Sequence, residues 1–105
     1  MKPLTGTQKK YLRGMAHSLK PVVFVGQKGM SPSLIRAVNE AFEARELIKI
    51  KFNEFKEKEE KRAVLAGIED RTGARVCGII GHTAILYRRN PDPEKRKIDL
   101  PKGTS

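Results

Sequence analysis

The segment Val22-Val23-Phe24-Val25-Gly26-Gln27-Lys28-Gly29-Met30-Ser31-Pro32 has the chain's most chemically suggestive spacing. Two glycines let a backbone turn sharply and approach a ligand with no Cβ in the way. Ser31 and Pro32 read as the N-cap and first position of a helix. The early amides of such a helix, together with the positive end of its dipole, favour an anion. Gly26, Gln27, Lys28 and Gly29 are therefore a candidate phosphate-binding loop, with Lys28 supplying a full charge at its lip. A GxxG tetrapeptide is common, and the alternative is an ordinary strand-to-helix turn whose glycines serve only the bend. The P-loop spacing G-x4-G-K-[ST] is absent, so nucleotide hydrolysis is not expected.

Residues able to do covalent or metal chemistry do not assemble. His17, His82 and Cys77 are the only members of their types, and no CxxC, HExxH or GxSxG pattern surrounds them. Cys77 lies in an apolar stretch and reads as a small core residue. His17 falls at a helix end and His82 in a turn. The expectation is a protein with no catalytic residues, metal site or cofactor, and so not an enzyme. Its aromatics are Tyr11, Phe24, Phe42, Phe52, Phe55 and Tyr87. Most sit in core patterns, so recognition of a polyanion by shape and backbone is expected over base stacking.

Charge points to such a partner. The chain of 105 residues carries 22 Lys+Arg against 12 Asp+Glu, a net charge of +10. The distribution is uneven: +7 over residues 1–39 with no acid at all, −2 over 40–70, and +5 from 71 onward. This asymmetry suggests one face built for nucleic acid or an anionic surface. Lys9, Lys10 and Arg13 fall on the polar side of the first helix, and Lys20 precedes a strand; they extend a phosphate-tracking surface or form a solvated helix face. Arg88 and Arg89 at the end of the last strand carry the same two readings. Lys49 and Lys51 point outward on a strand, where solubility explains them as well as contact does. Lys95-Arg96-Lys97 would add non-specific attraction from a flexible tail.

These residues need elements to hold them. Thr5-Gly6-Thr7-Gln8 has capping-box spacing, and Leu12, Met15 and Ala16 continue at helical period, with Leu19 near or past the end. Pro21–Val25 is a continuous apolar run, the pattern of a strand buried on both faces. Leu34, Ile35, Val38, Ala41 and Phe42 form one stripe of a second helix. Ile48-Lys49-Ile50-Lys51-Phe52 alternates as a half-buried strand. A mixed-charge run from Lys56 to Arg62 leads into Val64, Leu65 and Ile68 of a third helix, with Gly73 as C-cap. Arg75–Ile80 and Thr83–Tyr87 flank Gly81-His82, a two-residue hairpin turn. The expectation is a single α/β (α+β) domain over residues 1–90, α-β-α-β-α-β-β, with a mixed four-stranded sheet. A charged, proline-containing tail follows over 91–105, and Ile98 and Leu100 are its candidates for docking.

One domain of this length buries enough surface for a real core, so no disulfide is needed, and a single cysteine allows none within the chain. No apolar run approaches the roughly 20 residues that span a bilayer, and no signal segment is read at the start. A cytoplasmic protein, monomeric and without membrane partners, is expected.

Several blocks together resemble CRM domains, the chloroplast RNA splicing and ribosome maturation family. They are Leu12-Arg13-Gly14-Met15-Ala16-His17-Ser18-Leu19-Lys20-Pro21-Val22-Val23, then Gly26-Gln27-Lys28-Gly29-Met30-Ser31 and Glu46-Leu47-Ile48-Lys49-Ile50-Lys51. Arg71-Thr72-Gly73-Ala74 and Ile80-Gly81-His82-Thr83-Ala84-Ile85-Leu86-Tyr87-Arg88-Arg89 complete the set. The blocks occur in family order across nearly all of residues 4–90, and they look like those of the bacterial single-domain YhbY-type proteins. The resemblance implies a fold similar to the C-terminal domain of translation initiation factor 3. It also implies RNA binding, and association with precursor large-subunit (pre-50S) ribosomal RNA during ribosome biogenesis. A GxxG loop clamps nucleic-acid backbone in KH domains in a comparable way. Structured introns or DNA are the alternative targets, and a peripheral protein-interaction module is a further one. Residues 53–58 look longer and more charged than the family pattern.

Overall fold

The computed structural model describes residues 3–102; the outermost ends of the expected domain and tail, 1–2 and 103–105, lie outside the described residues. Each element begins and ends for local chemical reasons. Helix α1, Gly6–Ala16, opens on the expected capping box. Gln8 N donates to Thr5 Oγ1 at 3.2 Å and Thr5 N to Gln8 Oε1 at 3.1 Å. Strand β1, Pro21–Val25, leads through the GxxG loop into α2, Pro32–Ala44, capped by Ser31 Oγ accepting from Leu34 N at 3.2 Å. Strand β2, Leu47–Phe52, is followed by α3, Lys58–Thr72, whose start the mixed-charge run leaves open. It begins at Glu57, whose amide donates to Glu60 Oε1 at 3.2 Å, and ends at Gly73 in the left-handed region, φ 77°. Strands β3, Arg75–Ile80, and β4, Thr83–Tyr87, meet at Gly81-His82, with Gly81 at φ 60° as a primed turn needs.

The sheet order is β1-β2-β4-β3. β1 and β2 pair in parallel through the α2 crossover, while β4 pairs antiparallel with both β2 and β3. On one face α2 and α3 bury Val23, Val25, Ile48, Ile50, Phe52, Ala84 and Leu86. On the other, α1 lays Leu12 and Ala16 over Leu47, Cys77, Ile85 and Tyr87. The α+β architecture with a mixed four-stranded sheet is thus as the sequence implies.

Strand β1 is a correction. Its unbroken apolar run implies burial on both faces, yet Val23 and Val25 are buried while Val22 and Phe24 are 41% and 53% exposed. The strand lies at the edge of the sheet, and α1 packs across β3, β2 and β4, leaving the outer side of β1 bare.

The tail is also more ordered than its prolines suggest. The buried Glu46 carboxylate accepts from the backbone amides of Asn90 at 2.8 Å, Lys97 at 2.8 Å and Ile98 at 3.2 Å. Ile98 and Leu100 pack against the α1 core, and Gln8 Nε2 donates to Pro101 O at 3.0 Å. The radius of gyration, 13.1 Å, is close to the about 13 Å of a compact 100-residue domain.

Candidate nucleic-acid interface

The GxxG loop is a tight turn closed by Gly29 N donating to Gly26 O at 3.0 Å, with Gln27 and Lys28 exposed at its tip. Its two glycines do different work. Gly29 sits at φ 55°, buried, and a Cβ there would lie 2.8 Å from the Phe55 ring. Its freedom is therefore used inward, on packing. Gly26 has open space where a Cβ would stand, so it is the glycine across which a ligand can approach the backbone.

The floor of the loop is the β2–α3 connection, the stretch that departs from the family pattern in the sequence. Asn53 and Glu54 donate their amides to Val25 O at 3.0 and 3.2 Å. Phe55 adopts φ 57°, an uncommon conformation for an aromatic residue, and this places its ring under Gly29. Met30, the next residue, packs its methyl against Gly67 of α3. Phe55 and Gly67 are structural residues of the loop that spacing does not reveal; a contact between segments 26 residues apart leaves no local pattern.

The α2 terminus offers fewer donors than the bare motif implies. Pro32 has no N–H, Leu34 donates to Ser31 Oγ, and Ile35 donates to Ser31 O at 3.1 Å. The Ser33 amide remains, together with the helix dipole. Lys28 is thus the main attraction for an anion at this end.

The other candidate cations divide. Lys10, Lys20 and Arg89 are exposed, and Lys9 is half-buried on α1. Arg13 donates from Nη1 to Cys77 O at 2.8 Å, its stem lying across Gly78. Arg88 is not a free surface cation: Nη1 donates to Asn39 Oδ1 at 2.7 Å and Thr72 O at 3.1 Å, and the guanidinium stands 4.8 Å from the Phe42 ring centroid. Burial pulls its pKa below the usual arginine value, against a smaller opposing pull from Glu43. It joins α2, α3 and β4. In the tail, Arg96 Nε donates to Asn90 O at 2.8 Å, so that cluster is not wholly free either. The α1 cations do not adjoin the GxxG loop, because α1 lies over β3, β2 and β4 while the loop extends from β1.

What unites them is the placement of acids. Helix α1 and all four strands contain no Asp or Glu, but they carry Lys9, Lys10, Arg13, Lys49, Lys51 and Arg75. Glu40 and Glu43 on α2, and Glu59, Glu60, Glu69 and Asp70 on α3, belong to the opposite layer. On the α1 side of the sheet the helix and strands therefore carry bases alone, and the acids there are Glu46 and those of the docked tail. Burial pushes the Cys77 thiol up to about 12, outweighing the nearby cations Lys9 and Arg13, which leaves an unreactive thiol. Among the described residues, no group of three or more His, Cys, Asp or Glu is placed to hold a metal ion, and no helix is long and apolar enough to cross a membrane.

Comparison with known proteins adds a consistent set of likenesses. The family profile of the CRS1 / YhbY (CRM) domain matches residues 4–88. Bacillus subtilis YqeI, named a probable RNA-binding protein, is 38% identical over 98 residues, covering 93% of this chain and 99% of YqeI. A Haemophilus influenzae protein named RNA-binding protein is 35% identical over 102 residues, covering 97% and 99% of the two chains. The solution structure of the Staphylococcus aureus hypothetical protein SAV1595, for which RNA binding is proposed, superposes with a TM-score of 0.79 at 28% identity. That match covers 93% of this chain and 99% of SAV1595.

Proposed function

This chain belongs to the CRS1 / YhbY (CRM) domain family, and from that premise we propose that it binds structured RNA on the side of the sheet that carries α1. The GxxG tip holds one stretch of backbone, and the α1 cations hold another. The observation that carries the reading is the segregation of charge by layer: among α1, α2, α3 and the four strands, every acid lies on α2 or α3. A solubilising charge mix has no reason to sort itself by layer, whereas a polyanion site does.

Gln27, Lys28 and Gly26 form the loop contact, with Gly29 as its structural hinge. Lys9, Lys10 and Lys20 supply longer-range attraction to phosphates, Arg13 contributes charge from a fixed position, and Arg89 extends the surface at the end of β4. Names borne by similar proteins support RNA as the partner. The target we assign is precursor RNA of the large ribosomal subunit, bound during ribosome assembly in the cytoplasm without catalytic turnover. Crosslinking in cells followed by sequencing of the attached RNA tests this target. Enrichment of large-subunit precursor sequences is expected; enrichment of introns, or of no RNA class, would contradict it.

A further inference from the structure

The outer face of the sheet is only partly covered. Across its loop-bearing end, the strand registers align Phe24 with Lys51, Lys51 with Thr83, and Thr83 with Ile80. These residues point away from the α2/α3 core, because their neighbours Val23, Ile50, Phe52 and Ala84 point into it. In the next row, Ile85 is buried beneath α1 and the Arg13 stem crosses Gly78. Cover therefore stops one row short of the end. Phe24 and Ile80 are left 53% and 63% exposed, beside the exposed ammonium of Lys51.

We infer that this uncovered row is a stacking platform for an unpaired RNA base, with Phe24 as the ring on which the base lies. The inference rests on the RNA-binding reading above and names the part of the RNA that this surface takes. An exposed aromatic ring on an open sheet, flanked by cations, gives a base a π-face and its phosphates a counter-charge. Lys20 immediately precedes β1 and Lys28 follows it in the loop, so a strand of RNA running along β1 meets a cation at each end. Lys49 lies on the same face, its Nζ 3.4 Å from His17 O. It lines a cleft of about 270 Å³ with Arg13, His17, Pro21, Ile80, Thr83 and Ile85. That volume is slightly below the about 300–1,000 Å³ of small-molecule pockets, a size suited to part of a nucleotide. An apolar protein partner would find cations and no carboxylate on these elements; RNA meets charge of the opposite sign.

The test compares two RNAs of equal length and ionic conditions, a stem carrying an unpaired loop and a fully paired duplex. Phe24→Ala is expected to leave the melting temperature within a few degrees, to weaken binding of the looped RNA roughly 5- to 150-fold, and to leave duplex binding unchanged. Phe24→Tyr should retain affinity, whereas Phe24→Leu, which keeps apolar area without the ring, should lose it. The chain contains no tryptophan, so Phe24→Trp installs a single indole reporter whose fluorescence should be quenched by the looped RNA and far less by the duplex. Wild-type affinity in both Phe24→Ala and Phe24→Leu would overturn the platform. So would unquenched indole fluorescence in a folded Phe24→Trp variant that binds RNA. Loss of binding in Phe24→Ala with full retention in Phe24→Leu would overturn stacking in favour of a merely apolar contact. Lys28→Ala weakening both RNAs alike, with Phe24 variants unchanged, would leave the RNA-binding reading standing and remove only this one. A wild-type protein that bound neither RNA would remove both.

Discussion

At the scale of single residues, the two glycines of the loop separate fold from binding. Gly29 is held at φ 55° against Phe55, so Gly29→Ala should cost about 1–3 kcal/mol from left-handed strain, plus displacement of the ring. The measurement is thermal unfolding, with a fall of several degrees expected. Gly26→Ala meets open space at an ordinary φ and should leave stability nearly unchanged while weakening RNA binding. An unchanged affinity would show that no backbone approach occurs there. Gly29→Asp is consequently a poor probe of the phosphate contact, since it strikes Phe55 before it meets any ligand. Lys28→Ala is cleaner: it should cost about 1.5–3 kcal/mol of binding if the ammonium touches a phosphate. Two buried acids of the α1 core set the alkaline limit. Cys77 is pushed up to about 12, and burial raises Tyr87 above its ordinary value. In both, the unfolded chain ionises first, so the unfolded state binds fewer protons and stability falls as pH rises above about 9. Denaturant midpoints measured from pH 7 to 11 should stay level below about pH 9 and decline beyond it. Cys77→Ala should make that decline shallower.

At the scale of elements, the helices and strands were legible in the sequence because their signals are local. Thr5/Gln8, Ser31-Pro32, Gly73 and Gly81 each act within a few residues of themselves. What was not legible depends on neighbours distant in sequence. Pro21–Val25 has the composition of a central strand, but its place at the edge is set by the sheet order, which no apolar run encodes. Arg88 looks like a surface cation beside Arg89, yet strand alternation and a turn of α2 bring it to Asn39 and Phe42. The pairing of Phe55 with Gly29 likewise depends on where two loops meet. The Glu46 latch belongs at this scale too: one carboxylate before β2 holds the amide of Asn90 and two amides of the tail. Glu46→Ala should cost about 2–4 kcal/mol, given what charged acceptors contribute and what unpaired buried amides cost. Hydrogen exchange should accelerate at Asn90, Lys97 and Ile98 before it does so in the sheet. Protection that survived at those amides would show that Ile98 and Leu100 alone anchor the tail.

At the scale of the whole molecule, two layers with different charge lie on either side of one sheet. The α2/α3 layer mixes acids and bases, while α1 and the strands carry bases alone. Binding that releases counterions should weaken with salt, log K falling against log salt with a slope of about −0.7 to −0.9 for each phosphate neutralised. Replacing Lys9 and Lys10 together by alanine should make that slope shallower, and an unchanged slope would mean these lysines are merely solvated. The most direct test of the central claim is a map of backbone amide chemical shifts during titration with a structured RNA. The account predicts perturbations at Gly26–Lys28, along Val22–Phe24 and Lys49–Lys51, and on the Lys9–Arg13 side of α1, with the exposed side of α3 silent. Perturbations centred on the outer surfaces of α2 and α3, with the GxxG tip and α1 unmoved, would contradict it.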